Sequence, residues 1–363
     1  MNKRIPAQNR YATGLLKPFP FLFVFISMNL KLSVLDQTPI RKGSNASDSL
    51  QESIELARLT DRLGYTRYWI SEHHNTTMLA GAAPEVLLAR LGAETRHIRL
   101  GSGGIMLPNH SALKVAENFR LLEALYPGRV DLGLGRAPGG DRVTSRLLNP
   151  SNEFDPQAYI DQVRELSDFL TETPTPQNSN GRIKAIPSVE SVPALWILTS
   201  SGESAYLAAH LGIALSYAQF INPLGGPEVI RLYKERFRAS ELLQQPATNV
   251  GIFVFCSEKE EIADQAKALI EYRFLSFEKG EFNRLYDYKD IKDYRYSEDE
   301  KRRLEYHRQR YIAGTPDFVK TEMTSLAKKF DTSEIVISTF SDTREDRFRS
   351  YELLANLFSL PKP

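Results

Sequence analysis

The residues of this chain best suited to chemistry are an acid and two adjacent imidazoles, Glu72, His73 and His74. They follow an apolar, aromatic run at residues 65–70, and helix-like segments lie on both sides. In a repeat of strands and helices, this is the carboxyl end of a parallel strand, where such folds place their active sites. A histidine there can titrate near neutral pH and can donate or accept a proton.

The sequence leaves two roles open for His73 and His74. One of them could act as an acid or base in a pocket, or a histidine could instead hold the following loop in place. A metal site is disfavoured, because adjacent side chains on a strand point to opposite faces. In addition, no HxH, HxxxH or nearby carboxylate cluster completes a set of metal ligands.

A second candidate segment, LGSGGIMLP at residues 100–108, places glycines inside an apolar run. Glycine weakens a strand, so its presence there needs a reason. Without side chains, Gly103 and Gly104 could let a flat ring lie against the main chain. A bulge or a bend of the barrel is the alternative explanation.

A third candidate segment, TSSGES at residues 199–204, joins an apolar run to a helix-like stretch. The free N–H groups of a first helical turn, the positive end of the helix dipole and two hydroxyls can together hold a phosphate. The hydroxyls belong to Ser200 and Ser201, and Gly202 and Ser204 follow them. Simple capping by serine is the alternative.

Arg136 lies in a fourth candidate segment, GLGRAPGG at residues 133–140. Its planar, permanently charged guanidinium could pair with a phosphate or with a polar ring edge. It could equally be an ordinary loop arginine paired with a carboxylate such as Asp141.

Eight apolar runs typical of strands alternate with helix-like stretches and must position these segments. The predicted strands cover residues 30–35, 65–70, 98–107, 130–134, 195–199, 213–218, 250–256 and 334–339. Eight such units favour closure into a barrel, and the first strand lacks the GxGxxG turn of an open dinucleotide-binding sheet. The sequence therefore predicts an α/β fold, a TIM (β/α)8 barrel with insertions after strands 4 and 7.

The two insertions differ in composition. Residues 171–193 are rich in proline and polar residues, which is typical of a long surface loop. Residues 278–313 combine many charges with six tyrosines, so disorder is not expected. The second segment is either a solvated helical insertion or a lid or subunit contact near the active face.

Composition and charge exclude several classes of protein. The formal net charge of +1 argues against a nucleic-acid partner. The single cysteine, Cys256, excludes an internal disulfide, and its apolar surroundings predict a buried thiol.

The first 27 residues need separate treatment, since basic residues precede a short apolar run at 19–26. The run contains Pro20, lacks a clear cleavage site and is too short to span a bilayer. We interpret residues 1–27 as a poorly ordered extension and residues 28–363 as one barrel domain, with a targeting segment as the alternative. We expect a cytoplasmic protein with no membrane segment.

Taken in order, four motifs resemble those of the bacterial luciferase-like flavin monooxygenases. They are EHH after the second strand, GSGGIMLP at the third, GRVDLGLGRAPGGD at the fourth and TSSGESAYLAAHLGI at the fifth strand–helix junction. The similarity extends from about residue 30 to about residue 339 and is closest to the single-chain oxidoreductases of the family.

This resemblance implies a barrel with flavin mononucleotide (FMN) at its C-terminal mouth and assigns a role to each candidate. The implied phosphate cradle consists of Ser200, Ser201 and the amides of Gly202 to Ser204. Gly103 and Gly104 would lie beneath the flavin ring, often joined by a cis peptide bond, and Arg136 would lie near the flavin. His73 would be the functional histidine, with His74 beside it. Gly135 stands where the light-emitting subunit carries a reactive cysteine, which weakens any expectation of light emission.

The implied activity is oxygenation of a small organic substrate by reduced FMN and O2, with His73 managing protons. A separate reductase would supply the reduced FMN, because the sequence carries no nicotinamide fingerprint. A homodimer is common in the family. Two alternatives remain: a deazaflavin-dependent oxidoreductase that transfers hydride, and an FMN-binding protein without catalysis.

Overall fold

The computed structural model describes residue 1 and residues 30–137, 140–151, 155–173, 182–281 and 283–363. Apart from residue 1, the predicted extension at residues 1–27 lies outside these described residues, as does the middle of the predicted surface loop. Across the described ranges, no helix combines the length and the apolar character needed to cross a membrane.

Within the described residues, eight parallel strands close into a barrel and a ninth extends it. The strands are β1 (Lys31–Asp36), β2 (Arg67–Ile70), β3 (Arg99–Met106), β4 (Val130–Gly135), β5 (Ala194–Thr199), β6 (Ala214–Ala218), β7 (Thr248–Cys256), β8 (Tyr311–Gly314) and β9 (Glu334–Ser338). Each strand from β1 to β7 pairs with the next, and β9 pairs with both β7 and β1 to close the ring. All eight predicted strands and the barrel are confirmed.

Strand β8 was not predicted from the sequence. β7 is nine residues long, and its first part pairs with β6 and β9. Its last part, Phe253 to Cys256, continues beyond the ring and pairs with β8. β8 has only four residues and follows a charged helical segment, so its apolar run is too short to be recognised as a strand.

Twelve α-helices lie in the described part of the chain. They are α1 (Ala46–Leu63), α2 (Pro84–Glu94), α3 (Ala112–Leu125), α4 (Arg142–Leu148), α5 (Pro156–Thr171), α6 (Gly202–Leu211), α7 (Gly226–Arg236), α8 (Glu260–Glu278), α9 (Tyr288–Ile291), α10 (Glu298–His307), α11 (Pro316–Lys329) and α12 (Arg344–Leu357). Local chemistry sets their ends: Asn45 forms a capping box at the start of α1, and Gly64 ends that helix with a φ of 83°.

Two apolar layers hold the barrel together. Alternate strand residues such as Leu195 and Ile197 of β5 face outward and join the helices in one large buried core. Trp196, between them, faces inward and packs with Trp69 at a ring distance of 5.4 Å. Burying side chains of this size contributes about 1.5–3 kcal/mol each. The single cysteine, Cys256, is buried and free, as predicted.

The N-terminal end of the barrel interior is closed by buried charges. The Arg67 guanidinium donates to Glu334 at 2.6 Å and to Asp131 at 2.7 Å. Asp131 also accepts from the Trp69 indole at 3.0 Å and from Arg99 at 2.8 Å. These bonds tie β2, β3, β4 and β9 together below the mouth.

The tyrosine-rich segment at residues 278–313 contains α9 and α10 and leads into β8. It reaches the loop after β2, because Asn283 accepts a hydrogen bond from the Thr77 amide at 3.1 Å. It therefore braces the loop that carries His73.

Candidate active site at the barrel mouth

A cavity of about 1090 Å³ opens at the carboxyl ends of β1 to β6. Seven of the nine residues proposed from the sequence line it: His73, Gly103, Gly104, Arg136, Ser200, Ser201 and Ser204. Two others, His74 and Gly202, do not. The described residues of the tyrosine-rich segment contribute none of the lining. The closed barrel thus brings together side chains that are up to about 130 positions apart in sequence.

His73 enters the cavity from the loop after β2. Its backbone N–H donates to the Gly81 carbonyl at 3.0 Å, and its Nδ1 lies 3.1 Å from the Ser71 hydroxyl. Burial lowers the pKa of His73 to about 4, against the opposing effect of the neighbouring Glu72. The ring is therefore neutral at pH 7. Since the serine hydroxyl can donate to or accept from Nδ1, Nε2 can serve either as a proton acceptor or as a donor.

His74 is held on the other side of the loop. Its Nε2 lies 2.7 Å from Oε1 of Glu72, whose side chain is buried. The same oxygen is 2.8 Å from Nε2 of His110, and the other carboxylate oxygen accepts from the Met106 amide at 2.8 Å. His74 thus has the contacts of a residue that anchors a loop, which is the alternative left open by the sequence.

The floor of the cavity is bare backbone at Gly103 and Gly104, which are joined by a cis peptide bond as the family resemblance implied. A Cβ at Gly103 would lie 2.5 Å from Leu35 Cδ1, and one at Gly104 would lie 2.7 Å from the Gly133 carbonyl oxygen. No side chain fits at either position. The glycines therefore serve close packing between strands and also leave a flat surface at the mouth.

The start of α6 is open towards the cavity. Ser201 occupies the N-cap position, yet within the described chain its side chain makes no capping hydrogen bond. Thr199 holds the turn instead, by accepting from the Ser201 amide at 3.0 Å and donating to its carbonyl at 2.8 Å. A Cβ placed on Gly202 would have no atom of the described residues within 4 Å, apart from its chain neighbours and its own helix. The capping explanation for Ser201 is therefore not what the geometry shows.

Arg136 follows β4 beside the start of α6 and pairs there with Glu203 at 2.7 Å. Asp141, the partner considered from the sequence, instead caps α4 and accepts from the Asn75 side chain at 2.8 Å. Because both Arg136 and Glu203 are exposed to solvent, their ion pair is weak. The guanidinium can exchange this partner for an anion.

Sequence reasoning missed Tyr159 of α5. Its side chain is buried and lines the cavity, and its hydroxyl has no hydrogen-bond partner among the described residues. Burial raises the pKa of Tyr159, and the nearby Arg136 opposes that rise. A buried hydroxyl without a partner costs about 1–3 kcal/mol, so it indicates a group that a ligand would satisfy. Its helical position was visible in the sequence, but its orientation was not.

No group of three or more His, Cys, Asp or Glu in the described ranges is placed to hold a metal ion. The described part of the pocket thus offers an open helix terminus, the Arg136 guanidinium, the Tyr159 hydroxyl, a bare floor and a neutral imidazole. Such an arrangement can hold an anionic tail and a flat ring, and it can move a proton at one point.

Comparisons with known proteins place the chain in a family. The sequence profile described as luciferase-like monooxygenase matches residues 28–332, so the chain belongs to that family. It is 42% identical to the protein YwcH of Bacillus subtilis (strain 168) over 331 residues, covering 91% of this chain and 99% of that protein. It is 34% identical over 331 residues to the N-acetyl-S-alkylcysteine monooxygenase of the same organism, covering 90% and 98%.

Solved structures share the fold. The structure of apo-MsnO8 is 36% identical, covers 92% of this chain and all of that one, and superposes with a TM-score of 0.85. The oxygenating constituent of 3,6-diketocamphane monooxygenase of Pseudomonas putida, in complex with FMN, has a TM-score of 0.62 at 17% identity. An F420-dependent secondary alcohol dehydrogenase has the same TM-score at 12% identity. The last two likenesses concern the fold alone.

Proposed function

We propose that this member of the luciferase-like monooxygenase family is an FMN-dependent monooxygenase that uses reduced FMN and O2 to oxygenate a small organic substrate. One observation carries the proposal: the open start of α6, Arg136 and the unpartnered hydroxyl of Tyr159 converge on one side of a cavity whose floor is Gly103 and Gly104. A separate reductase would supply the reduced cofactor.

The phosphate of FMN fits the α6 side of the mouth. Ser200, Ser201 and Ser204 line the cavity there, and the amides of the first helical turn supply donors for an anion. Arg136 would leave Glu203 and pair with the phosphate, because charge-assisted contacts to a phosphate are stronger than an exposed ion pair. The Tyr159 hydroxyl would gain the partner it lacks.

The flavin ring fits the floor at Gly103 and Gly104, where no side chain intervenes. When bound in reduced form, the flavin supplies the two electrons needed to activate O2 for transfer of one oxygen atom. The chain itself positions the ring and excludes water with apolar side chains such as Leu35, Leu198 and Phe220.

His73 would manage protons at the edge of the ring. It is neutral at pH 7, and its Nε2 has no hydrogen-bond partner within the described residues, while Ser71 holds Nδ1. Nε2 can therefore take up a proton at one stage of the reaction and return it at another. His74 is not needed for this step, and we assign it to the support of the loop.

Cofactor binding is the first test. FMN, riboflavin and the deazaflavin F420 are titrated separately into the apo protein and into Arg136→Ala, with His97→Ala as a control at an exposed position away from the mouth. We expect FMN to bind at least about 10-fold more tightly than riboflavin, and Arg136→Ala to remove most of that difference. Equal affinity for FMN and riboflavin would contradict the phosphate cradle, and preference for F420 would favour hydride transfer.

Turnover is the second test. The protein is combined with FMN, a flavin reductase and mixtures of metabolites, and products are sought by mass spectrometry as a gain of one oxygen atom. Substrate-dependent consumption of O2 is expected. Tight FMN binding without product or substrate-dependent oxygen use would indicate a non-catalytic flavin-binding protein.

We further propose that the enzyme works in the cytoplasm, that residues 28–363 form one domain and that the protein is a homodimer. Cell fractionation tests the first statement, limited proteolysis the second and light scattering of the purified protein the third.

A further inference from the structure

The buried carboxylate of Glu72 joins three segments of the mouth. It accepts from the Met106 amide at the end of β3, from His74 in the loop after β2 and from His110 just before α3. Its side chain is 1% exposed, whereas those of His74 and His110 are 12% and 29% exposed. A charged group this deeply buried is stable only when its oxygens are satisfied.

The charge of Glu72 fixes the protonation of both partner rings. Burial alone would raise the pKa of Glu72, but the hydrogen bonds from His110, His74 and Met106 outweigh that effect and lower the pKa. An ionised carboxylate can only accept hydrogen bonds. Both imidazoles must therefore carry a proton on Nε2, and both are oriented towards Glu72.

The position of Glu72 in the sequence makes this contact important for His73. Glu72 immediately precedes His73, and His74 immediately follows it. Because the two flanking residues are bound to each other, the intervening residue is turned the other way, into the cavity. The Ser71 hydroxyl then holds its Nδ1.

We propose that Glu72 is a positioning residue that, through His74, His110 and Met106, holds His73 in its pocket-facing orientation. The proposal rests on the acid–base role proposed for His73, but the placement of the His73 ring is a separate statement that can be measured without any cofactor. Glu72 itself does not line the cavity.

Glu72 affects the pKa of His73 in two ways, through its negative charge and by holding the ring in place. These two effects have opposite signs. Through its charge, Glu72 raises the pKa of His73, while His74 and burial lower it. Loss of the charge alone would therefore move the pKa of His73 further below about 4. If the His73 ring left its position, it would instead become exposed to water, and its pKa would rise from about 4 towards 6.5.

The experiment is an NMR titration of the apo protein, following the side-chain resonances of its six histidines in the parent and in Glu72→Gln and Glu72→Asp. Glu72→Asp keeps the charge but is one methylene too short to reach all three donors. We expect the pKa of His73 to rise from about 4 towards 6.5 in Glu72→Asp, where position is lost, and to lie lower in Glu72→Gln, which keeps the side-chain length and loses the charge. A pKa of His73 that stays at about 4 in Glu72→Asp would refute the positioning role.

The matched control is Glu85→Gln. Glu85 of α2 acts on His110 through its charge, as Glu72 does, but it lies outside the hydrogen-bonded group. The control variant should lower the pKa of His110 and leave that of His73 unchanged. A rise in the pKa of His73 in this variant too would mean that the rise does not depend on the hydrogen bonds of Glu72, which would overturn the proposal.

Activity supplies a second readout once the substrate is known. We expect Glu72→Asp to lower kcat at least about 10-fold while the FMN dissociation constant changes less than about 2-fold. If His73 moves in the titration but kcat does not fall, Glu72 still positions the ring and the acid–base role of His73 is wrong. If His73 does not move, the positioning role is wrong whatever the activity.

Discussion

The two ends of the barrel interior use polar residues in opposite ways. At the N-terminal end, the charges of Arg67, Asp131 and Glu334 are buried and paired with one another at 2.6–2.7 Å. At the C-terminal mouth, the Tyr159 hydroxyl has no partner among the described residues, and Arg136 pairs with an exposed carboxylate. The same strands support both arrangements.

This difference shows how one fold separates stability from function. Removing one member of a buried ion pair leaves the other charged and unsolvated, which costs about 3–5 kcal/mol. Polar side chains that line the cavity, such as Arg136 and Tyr159, have few internal bonds to lose, so their replacement should change binding and turnover and leave folding nearly intact. Substitutions at the two ends can test whether the separation is real.

The largest effect is expected at the mouth, from His73→Ala. Turnover should fall about 10²–10⁴-fold, because the variant lacks the group that we propose moves the proton. FMN affinity should change less than about 3-fold, and the free energy of unfolding should change little. His97→Ala, at an exposed position, is the control. Normal product yield in His73→Ala, measured by stopped-flow absorbance and mass spectrometry, would contradict the assignment.

The opposite result is expected at the N-terminal end, from Asp131→Ala. This change removes the partner of Arg67 and Arg99 and should lower the free energy of unfolding by about 3–5 kcal/mol, measured by urea denaturation. Asp264→Ala, at an exposed site on α8, should change it by less than about 0.5 kcal/mol. FMN affinity of the folded variant should be unchanged. If Asp131→Ala were as stable as the parent but bound FMN more weakly, the two ends of the barrel would not separate stability from binding.

The sequence predicted some parts of the molecule better than others. Continuous apolar strands and regular helix spacing predicted the eight barrel strands, because burial on both faces imposes that pattern. The short elements β8, α4 and α9 escaped prediction, since they are positioned by contacts with distant segments. The local signal at TSSGES correctly predicted a loop at the start of a helix.

Orientation was the part of the site that sequence could not supply. His73 and His74 are adjacent residues of the same type, and contacts in the folded chain give them different orientations. Glu72 binds His74 together with the distant His110 and Met106, whereas Ser71 holds His73. The ring of Tyr159 is part of the buried core, and its hydroxyl alone lacks a partner among the described residues. Whether a buried polar atom has a partner depends on the whole fold, so periodicity alone cannot reveal it.

The next effect concerns the pH dependence of stability. His73 has a pKa of about 4 when folded and an ordinary value of 6.5, so the unfolded chain binds more protons between these values. Stability should therefore fall as the pH is lowered from 7 to 5, by about 2 kcal/mol from His73 alone. His110 has a raised pKa, so its contribution to stability has the opposite dependence on pH. That contribution is lost as the pH rises through the folded pKa of His110.

His73→Gln isolates this contribution, because it leaves the other five histidines in place. Urea denaturation at pH 7 and pH 5 should show a smaller loss of stability at pH 5 in the variant than in the parent. His97→Gln should behave like the parent. If His73→Gln and the parent lose the same stability, the His73 ring is not buried as the mouth geometry requires.

The smallest effect should come from Glu203→Gln, at the exposed partner of Arg136. Glu203 neutralises Arg136 when no anion is bound, and its charge repels a phosphate at the start of α6. The variant should therefore bind FMN about 1.5–5-fold more tightly, the size expected of an exposed ion pair, and less so at high salt. Riboflavin has no phosphate, so its affinity should not change, and Glu241→Gln should alter neither. Isothermal titration would measure both ligands. An equal gain for riboflavin would mean that Glu203 acts on the ring and that the mouth is not divided into a phosphate side and a ring side.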